Sequence, residues 1–441
     1  MVRCAAVAMI AWALAGCALR SDVTITPLFI LPTEERYSSN SIRVLVERGD
    51  FAKAARLAKD VVETGEGASF KQLAALGDAE LACGRFDDAR RHLRQALDLH
   101  PFRTEAGQIE WSLSQLEYLT NDFGDALKWA LAATEHGTTV KQWHVEYLKS
   151  LAGTRVYQFS GEREARVPLA FGKPEVPRVN IEVEGKQSPA IVDSGAVLSI
   201  VAESLAKELG VAPLGEFRGT FFGLLGEPIE VRFGLVKDLR IGGVRVANVP
   251  VAIMSDQALK FVVRNKESFV MRFILGANLL KEFRIELDAG KGEAVFQPLT
   301  AEDRKPAIDQ NLFHVGFRPF VHGSINHRAW YLFVLDTGSE VTFLNKDLLI
   351  KTPVRGAEKI HGATLQGLGG SKKRGSKIAN VEVGVDKWAG KFGELPLYGT
   401  EHSQAFGIIG QDLLKKFRVV IDYGSMKVEL TRHLALFGGG S

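Results

Sequence analysis

The C-terminal part of this chain repeats itself, and the repeat is long enough to fix an architecture. Pro189-Ala190-Ile191-Val192 leads into Asp193-Ser194-Gly195-Ala196, and Leu332-Phe333-Val334-Leu335 leads into Asp336-Thr337-Gly338-Ser339. Each is an apolar, strand-like run feeding an acid, a hydroxyl residue and a glycine. A short helical turn follows each acid, at Val201–Leu205 and Leu344–Leu348. Thr220-Phe221-Phe222-Gly223-Leu224-Leu225-Gly226 then matches Thr364-Leu365-Gln366-Gly367-Leu368-Gly369-Gly370, and glycines between two extended runs mark a hairpin tip. Finally, Ile274-Leu275-Gly276-Ala277-Asn278-Leu279-Leu280 matches Ile408-Ile409-Gly410-Gln411-Asp412-Leu413-Leu414. Both continue into a strand that ends in an acid, Asp288 or Asp422. Four features recurring in order predict two units of one architecture in one polypeptide.

The duplicated unit resembles the retropepsin-like aspartic proteases over about residues 164–432. That family's unit has Asp-Thr/Ser-Gly on a loop after a strand, a glycine-tipped flap hairpin, and a late apolar-apolar-Gly before a short helix. The resemblance implies two all-β acid-protease barrels related by a pseudo-twofold axis, residues 164–300 and 301–432, with the site between them. It implies a catalytic pair, Asp193 and Asp336. It also implies loop support from Ser194, Gly195, Ala196, Thr337, Gly338 and Ser339. Flap contacts to substrate would come from Phe222, Gly223 and Leu224 on one lobe and Gln366, Gly367 and Leu368 on the other.

Such chemistry requires these residue types. Two carboxylates a hydrogen bond apart cannot both ionise cheaply, so they share a proton and hold a base and an acid together. One deprotonates a water while the other donates to a peptide carbonyl oxygen. The glycines allow a close backbone approach, and Ser194 and Thr337 are placed to hydrogen-bond across the halves. No metal or cofactor is needed. The flaps, 217–232 and 361–378, would hold an extended protein or peptide substrate by main-chain hydrogen bonds. Phe221, Phe222, Leu224, Leu365 and Leu368 either select apolar side chains or pack the flaps on their barrels. Lys372-Lys373-Arg374 reads as a solvated basic turn. The extra length of the first half falls in Met254–Phe273, as an added loop or short helix.

Residues 1–16 read as a secretion signal ending in Leu14-Ala15-Gly16-Cys17, which resembles the bacterial lipobox. The resemblance implies lipidation of Cys17 and a tether over 17–40. The product would be an envelope lipoprotein facing the periplasm, the outer membrane being favoured because Ala18 is not an aspartate. Of the three cysteines, Cys83 remains for the fold and reads as a small core residue.

From 41 to 151 the pattern is helical. Leu76-Gly77, Gly84, Phe86, Ala89, Leu93, Ala96, Leu97 and Pro101 resemble the tetratricopeptide pattern. Gly49, Phe51 and Ala54 look like the same segment one repeat earlier, and Asp122, Phe123 and Ala126 like it one repeat later. Such an array binds a protein partner or serves as a spacer. Residues 433–441 read as a flexible tail.

A formal charge of +3 gives no case for nucleic acid, and the histidines, among them His314, His322 and His327, show no metal-ligand spacing. The fused halves predict a monomer. The expectation is therefore an envelope aspartic endopeptidase. The alternatives are a non-catalytic peptide- or partner-binding lipoprotein, and an enzyme whose segment around 152–180 covers the cleft until released.

Overall fold

The structure is a computed structural model that describes residues 23–28, 45–46, 49–64, 68–222, 228–262, 268–351, 358–366, 372–398 and 405–433. The signal, Cys17, Gly223, Leu224, Gly367, Leu368 and residues 434–441 lie outside the described residues.

Among the described residues six full helices precede the lobes: α1 (Phe51–Thr64), α2 (Phe70–Ala82), α3 (Phe86–Asp98), α4 (Arg103–Leu119), α5 (Phe123–Glu135) and α6 (Gln142–Leu151). Consecutive helices pack on one another. Small residues permit the approach: a Cβ on Gly77 would sit 2.6 Å from Leu93. Cys83 is wholly buried, and burial pushes its thiol up to about 12. Four of the described helix ends in this region carry one motif, one of them at Gly137 (φ 89°), whose N–H donates to the Thr134 carbonyl while Thr138 N–H reaches back to Ala133. Gly49, Gly84 and Asn121 adopt left-handed φ of 81°, 72° and 67°. Their N–H groups donate to the carbonyls of Val46, Leu81 and Tyr118. The N–H groups of Asp50, Arg85 and Asp122 reach back to Leu45, Glu80 and Glu117. This is the paired closure that frees a helix C-terminus from unmet carbonyls.

Two β lobes follow, and their topologies are the same. In the first, six strands close into a ring: Val244–Met254, Ser199–Ala202, Phe273–Leu275, Lys186–Val192, Pro177–Val183 and Pro228–Ile241. In the second the corresponding strands are Trp388–Tyr398, Phe343–Asn345, Gly407–Ile409, Arg328–Leu335, Arg318–Ile325 and Lys372–Val385. The flap strands Gly219–Phe222 and Glu358–Gln366 extend the two rings at corresponding places. The extra length of the first half includes a small hairpin, Lys260–Val262 against Ser268–Val270.

A five-stranded sheet joins the lobes, with Phe283–Asp288 pairing antiparallel to Phe417–Asp422. The pseudo-twofold axis passes through that pair: Arg284 faces Asp422, and Asp288 faces Arg418.

Two segments differ from expectation. Within 17–40, read as a tether, Thr24–Pro27 forms a strand on the edge of the second lobe, Ile25 opposite Gly390. Its counterpart on the first lobe is Gln158–Gly161, which precedes the expected boundary at 164. Each lobe thus has its exposed edge covered by a strand from outside the duplicated unit, which a sheet edge with free N–H and C=O groups favours. The segment around 152–180, considered as a removable cover, is instead woven into the sheets. Gln158–Gly161 and Pro177–Val183 lie in the first lobe, and Ala165–Pro168 lies in the joining sheet.

Three of the repeated turns dock on the lobes. The Gly49 carbonyl contacts His322 Nε2 at 2.8 Å. Gln310 donates to the Cys83 carbonyl at 3.2 Å. Lys281 Nζ donates to the Leu119 carbonyl and to Asn121 Oδ1 at 3.0 and 2.7 Å. Among the described residues no helix is long and apolar enough to cross a membrane.

Candidate active site

Asp193 and Asp336 each follow a buried barrel strand and stand face to face where the lobes meet. Both are wholly buried. Their backbones are fixed by the strands carrying the late glycines: Asp193 N–H donates to the Leu275 carbonyl at 3.0 Å, and Asp336 N–H to that of Ile409 at 3.1 Å. Oδ1 of Asp193 accepts from the N–H groups of Gly195 and Ala196 at 2.8 and 3.1 Å. Oδ1 of Asp336 accepts from Gly338 N–H at 3.0 Å. Oδ2 of each receives no hydrogen bond from another donor group, which a proton shared between the two carboxyls would satisfy.

The glycines are a steric requirement of the facing pair. A Cβ on Gly195 would lie 2.3 Å from the Asp336 carboxyl carbon, and a Cβ on Gly338 would lie 2.3 Å from that of Asp193. The hydroxyl residues bridge the halves. Ser194 Oγ donates to the Leu335 carbonyl at 2.6 Å, and Thr337 Oγ1 donates to that of Val192 at 2.7 Å. Each oxygen also accepts the other residue's N–H, at 3.0 and 3.1 Å. Four reciprocal bonds in a buried place hold the two loops in one register.

A second layer explains the late glycines. A Cβ on Gly276 would lie 2.4 Å from Leu198 backbone, and one on Gly410 would lie 2.5 Å from Val341 backbone. Ala277 N–H donates to the Ala196 carbonyl, and Gln411 N–H to that of Ser339, at 2.7 and 2.8 Å. Ser339 Oγ donates to the Val341 carbonyl at 2.8 Å. Asn278 Oδ1 accepts from Ser199 N–H and Oγ, at 2.6 and 2.9 Å. In the other lobe Asp412 takes the same role toward Thr342, whose N–H and Oγ1 donate at 2.9 and 2.7 Å. The sequence reading missed this pair of supports. Its signal was a hydroxyl residue six places after each Asp, matched by an amide or acid two places after each late glycine.

Electrostatics sets the pair's protonation. Burial raises the Asp193 carboxyl to about 6, against the pull of its hydrogen bonds. Burial raises Asp336 well above its ordinary value, and the neighbouring Asp193 charge raises it further. Arg318 pulls Asp336 the other way. The pair therefore keeps one proton into the neutral range, as a coupled unit. Burial lowers Arg318 to about 10, opposed by both carboxylates. Burial also raises Asp412, to about 6.

The flaps are only partly part of the described site. Phe221 is buried and packs on Trp143 and Phe233, so it braces the flap base rather than facing a ligand. Phe222 and Gln366 end their flap strands. Gly223, Leu224, Gly367 and Leu368 lie outside the described residues. The histidines are engaged elsewhere: His314 lies against Phe86 and Tyr423, His322 on Gly49, and His327 by Glu382. Among the described residues no cluster of metal-ligand side chains occurs.

Two barrels, a shared sheet and a carboxyl pair on crossed glycine loops define an aspartyl protease domain of the retropepsin and pepsin kind in the C-terminal part of the chain. Residues 179–279 match the aspartyl protease family profile. Among solved structures, a retropepsin-like aspartic protease from Rickettsia conorii is 18% identical, with 32% of this chain and 96% of that one covered, at a TM-score of 0.24. An aspartic proteinase from Irpex lacteus is 10% identical, with 62% and 99% covered, at a TM-score of 0.37. No curated protein sequence matches the chain.

Proposed function

We propose that the chain is an aspartic peptidase that hydrolyses peptide bonds of an extended substrate with water activated between Asp193 and Asp336. The facing carboxyls carry this reading, since their Oδ2 atoms are buried and take no bond from another donor. A loop pair kept only for binding has no need of two such acids. With one proton between them, the ionised member takes a proton from water and the neutral member donates to the carbonyl oxygen. Hydrolysis returns the proton to the pair, so no cofactor is consumed.

The test is a peptide library incubated across acid to neutral pH with the protein, its Asp193→Asn variant and its Asp336→Asn variant, and read by mass spectrometry. Cuts made by the parent and absent from both variants support the proposal. Cuts that persist in both sink it. Capture of peptides without cuts moves the assignment to a binding protein.

We also read the protein as an envelope lipoprotein anchored through Cys17, with a tetratricopeptide-like helical region. The repeated helix-end turns support the second reading. The first gains a geometric consequence from the strand Thr24–Pro27. Six residue steps from Cys17 to Val23 span at most about 20 Å, so the second lobe would sit close to the membrane. Cys17→Ser should move the protein from the membrane to the soluble fraction.

A further inference from the structure

Helix α6 builds a wall across one end of the cleft. Trp143 meets Phe221, on the first flap strand, edge-on at 4.7 Å between ring centroids. The next residue, His144, stacks on Phe317 of the second lobe at 5.0 Å. Trp143 and His144 are themselves 5.4 Å apart, edge to face. Tyr118 and Trp111 back Phe317 at 4.5 and 6.2 Å. The row Phe221–Trp143–His144–Phe317 thus joins the flap of one lobe to a hairpin turn of the other. Rings in contact leave no passage for a polypeptide strand, which takes about 4.7 Å in its narrower direction even when paired.

Arg318 follows Phe317 directly, so wall and guanidinium belong to the same end of the cleft. Arg318 forms no hydrogen bond or ion pair among the described residues, and it lies within the field of both carboxyls. The other lobe does not repeat it. Phe320 pairs with Val334, two residues before Asp336, as Arg178 pairs with Ile191, two residues before Asp193. Two residues back from each stand Arg318 and Val176. The counter-charges differ in the same way. Glu340, four residues after Asp336, acts on Arg178, whereas Val197 stands four residues after Asp193. Among the described residues Arg318 therefore has no carboxylate at ion-pair distance and feels only the field of the Asp193–Asp336 pair.

We propose that this end of the cleft receives a chain terminus: a peptide binds with its C-terminal carboxylate on Arg318, against the α6 wall, and is cut a few residues upstream. The inference rests on the peptidase reading for the cut and on the wall and Arg318 alone for the binding. A planar guanidinium suits a carboxylate. An ammonium terminus would be repelled, and an internal segment would have to pass through the rings.

The test uses the full-length protein and a pool of decapeptides made both as free acids and as C-terminal amides, some amides carrying aspartate near the end. Free acids should be cut within their last few residues, and amidation should slow this about tenfold or more. Arg318→Gln should erase the preference, and Arg318→Lys should keep part of it. Trp143→Ala should admit internal cuts. Internal cuts by the parent protein with no effect of amidation overturn the proposal. Aspartate-bearing amides that match the free acids overturn the terminal assignment. A binding arm is independent of turnover: in Asp336→Asn, N-terminally labelled peptides read by anisotropy should favour the free acid about tenfold, and Arg318→Gln should remove this. Equal affinities overturn the proposal even if the parent protein cuts nothing, whereas an acid preference without cuts overturns the peptidase reading alone.

Discussion

At Gly195 and Gly338 the fold leaves no room for a side chain, because the space a Cβ would take is held by the opposite carboxyl. Gly195→Ala should therefore push the Asp336 carboxyl off its partner. We expect proteolysis to fall about 10²-fold or more, as when catalytic groups are displaced by an ångström, with a stability cost of about 1–3 kcal/mol. Kinetics and thermal melts read the two separately.

The carboxyls themselves predict a pH effect. An unfolded Asp ionises near 3.8, while burial raises Asp193 to about 6 and raises Asp336 well above its ordinary value. The native state then binds more protons than the unfolded one, so stability falls as pH rises from about 4 through the folded values. Asp336→Asn removes the buried charge. It should melt higher than the parent protein at pH 7 and lose that advantage near pH 4, while cutting activity by about 10²–10⁴-fold. Asp412→Asn should be tolerated, because Asn278 does the same work in the other lobe. Melts across pH 4 to 8 should show less loss of stability with rising pH, since Asp412 ionises near 6.

Among the elements, Thr24–Pro27 is the one least expected, and it is the edge strand of a lobe that begins far later in the chain. Thr-Ile-Thr has the composition of a strand, but a strand so short has no stability alone. Its partners are long-range: Thr26 Oγ1 donates to Glu382 at 2.9 Å, and Val23 is buried against the second lobe. Deleting 23–28 should cost about 2 kcal/mol from lost burial and should speed hydrogen exchange at Trp388–Lys391. Unchanged exchange there would mean the strand contributes nothing to the edge. Helix α6 is the other element whose role lies outside its own domain, since its aromatic face is shared between a flap and the opposite lobe.

On the scale of the whole molecule, hydrogen bonds join the helical region to both lobes. The clearest joint is the buried cluster where Lys281 Nζ meets Glu282, Asn121 and the Leu119 carbonyl, and Arg304 reaches Glu282. The second lobe has Lys415 and Lys416 at the matching positions, and Lys415 pairs there with Glu175. Glu282→Gln leaves Lys281 buried without its countercharge. We expect a loss of about 3 kcal/mol and easier proteolytic separation of the helices from the lobes, followed by limited digestion.

The duplication, the loops that carry the two acids, the paired flap strands and the helical front were legible in the residues alone. Those are local patterns, strand alternation, glycine turns and helix-end motifs, and internal repetition made them readable without partners. Contacts in the fold settle which distant segments complete the lobes, that helical turns dock on them, and that Trp143 and His144 link Phe221 of one lobe to Phe317 of the other. These depend on contacts between residues far apart in the chain, and no local periodicity records which side chain will face which. The two acids belong to both accounts: each loop is written in its own stretch of sequence, but their raised protonation arises only from burial and from each other.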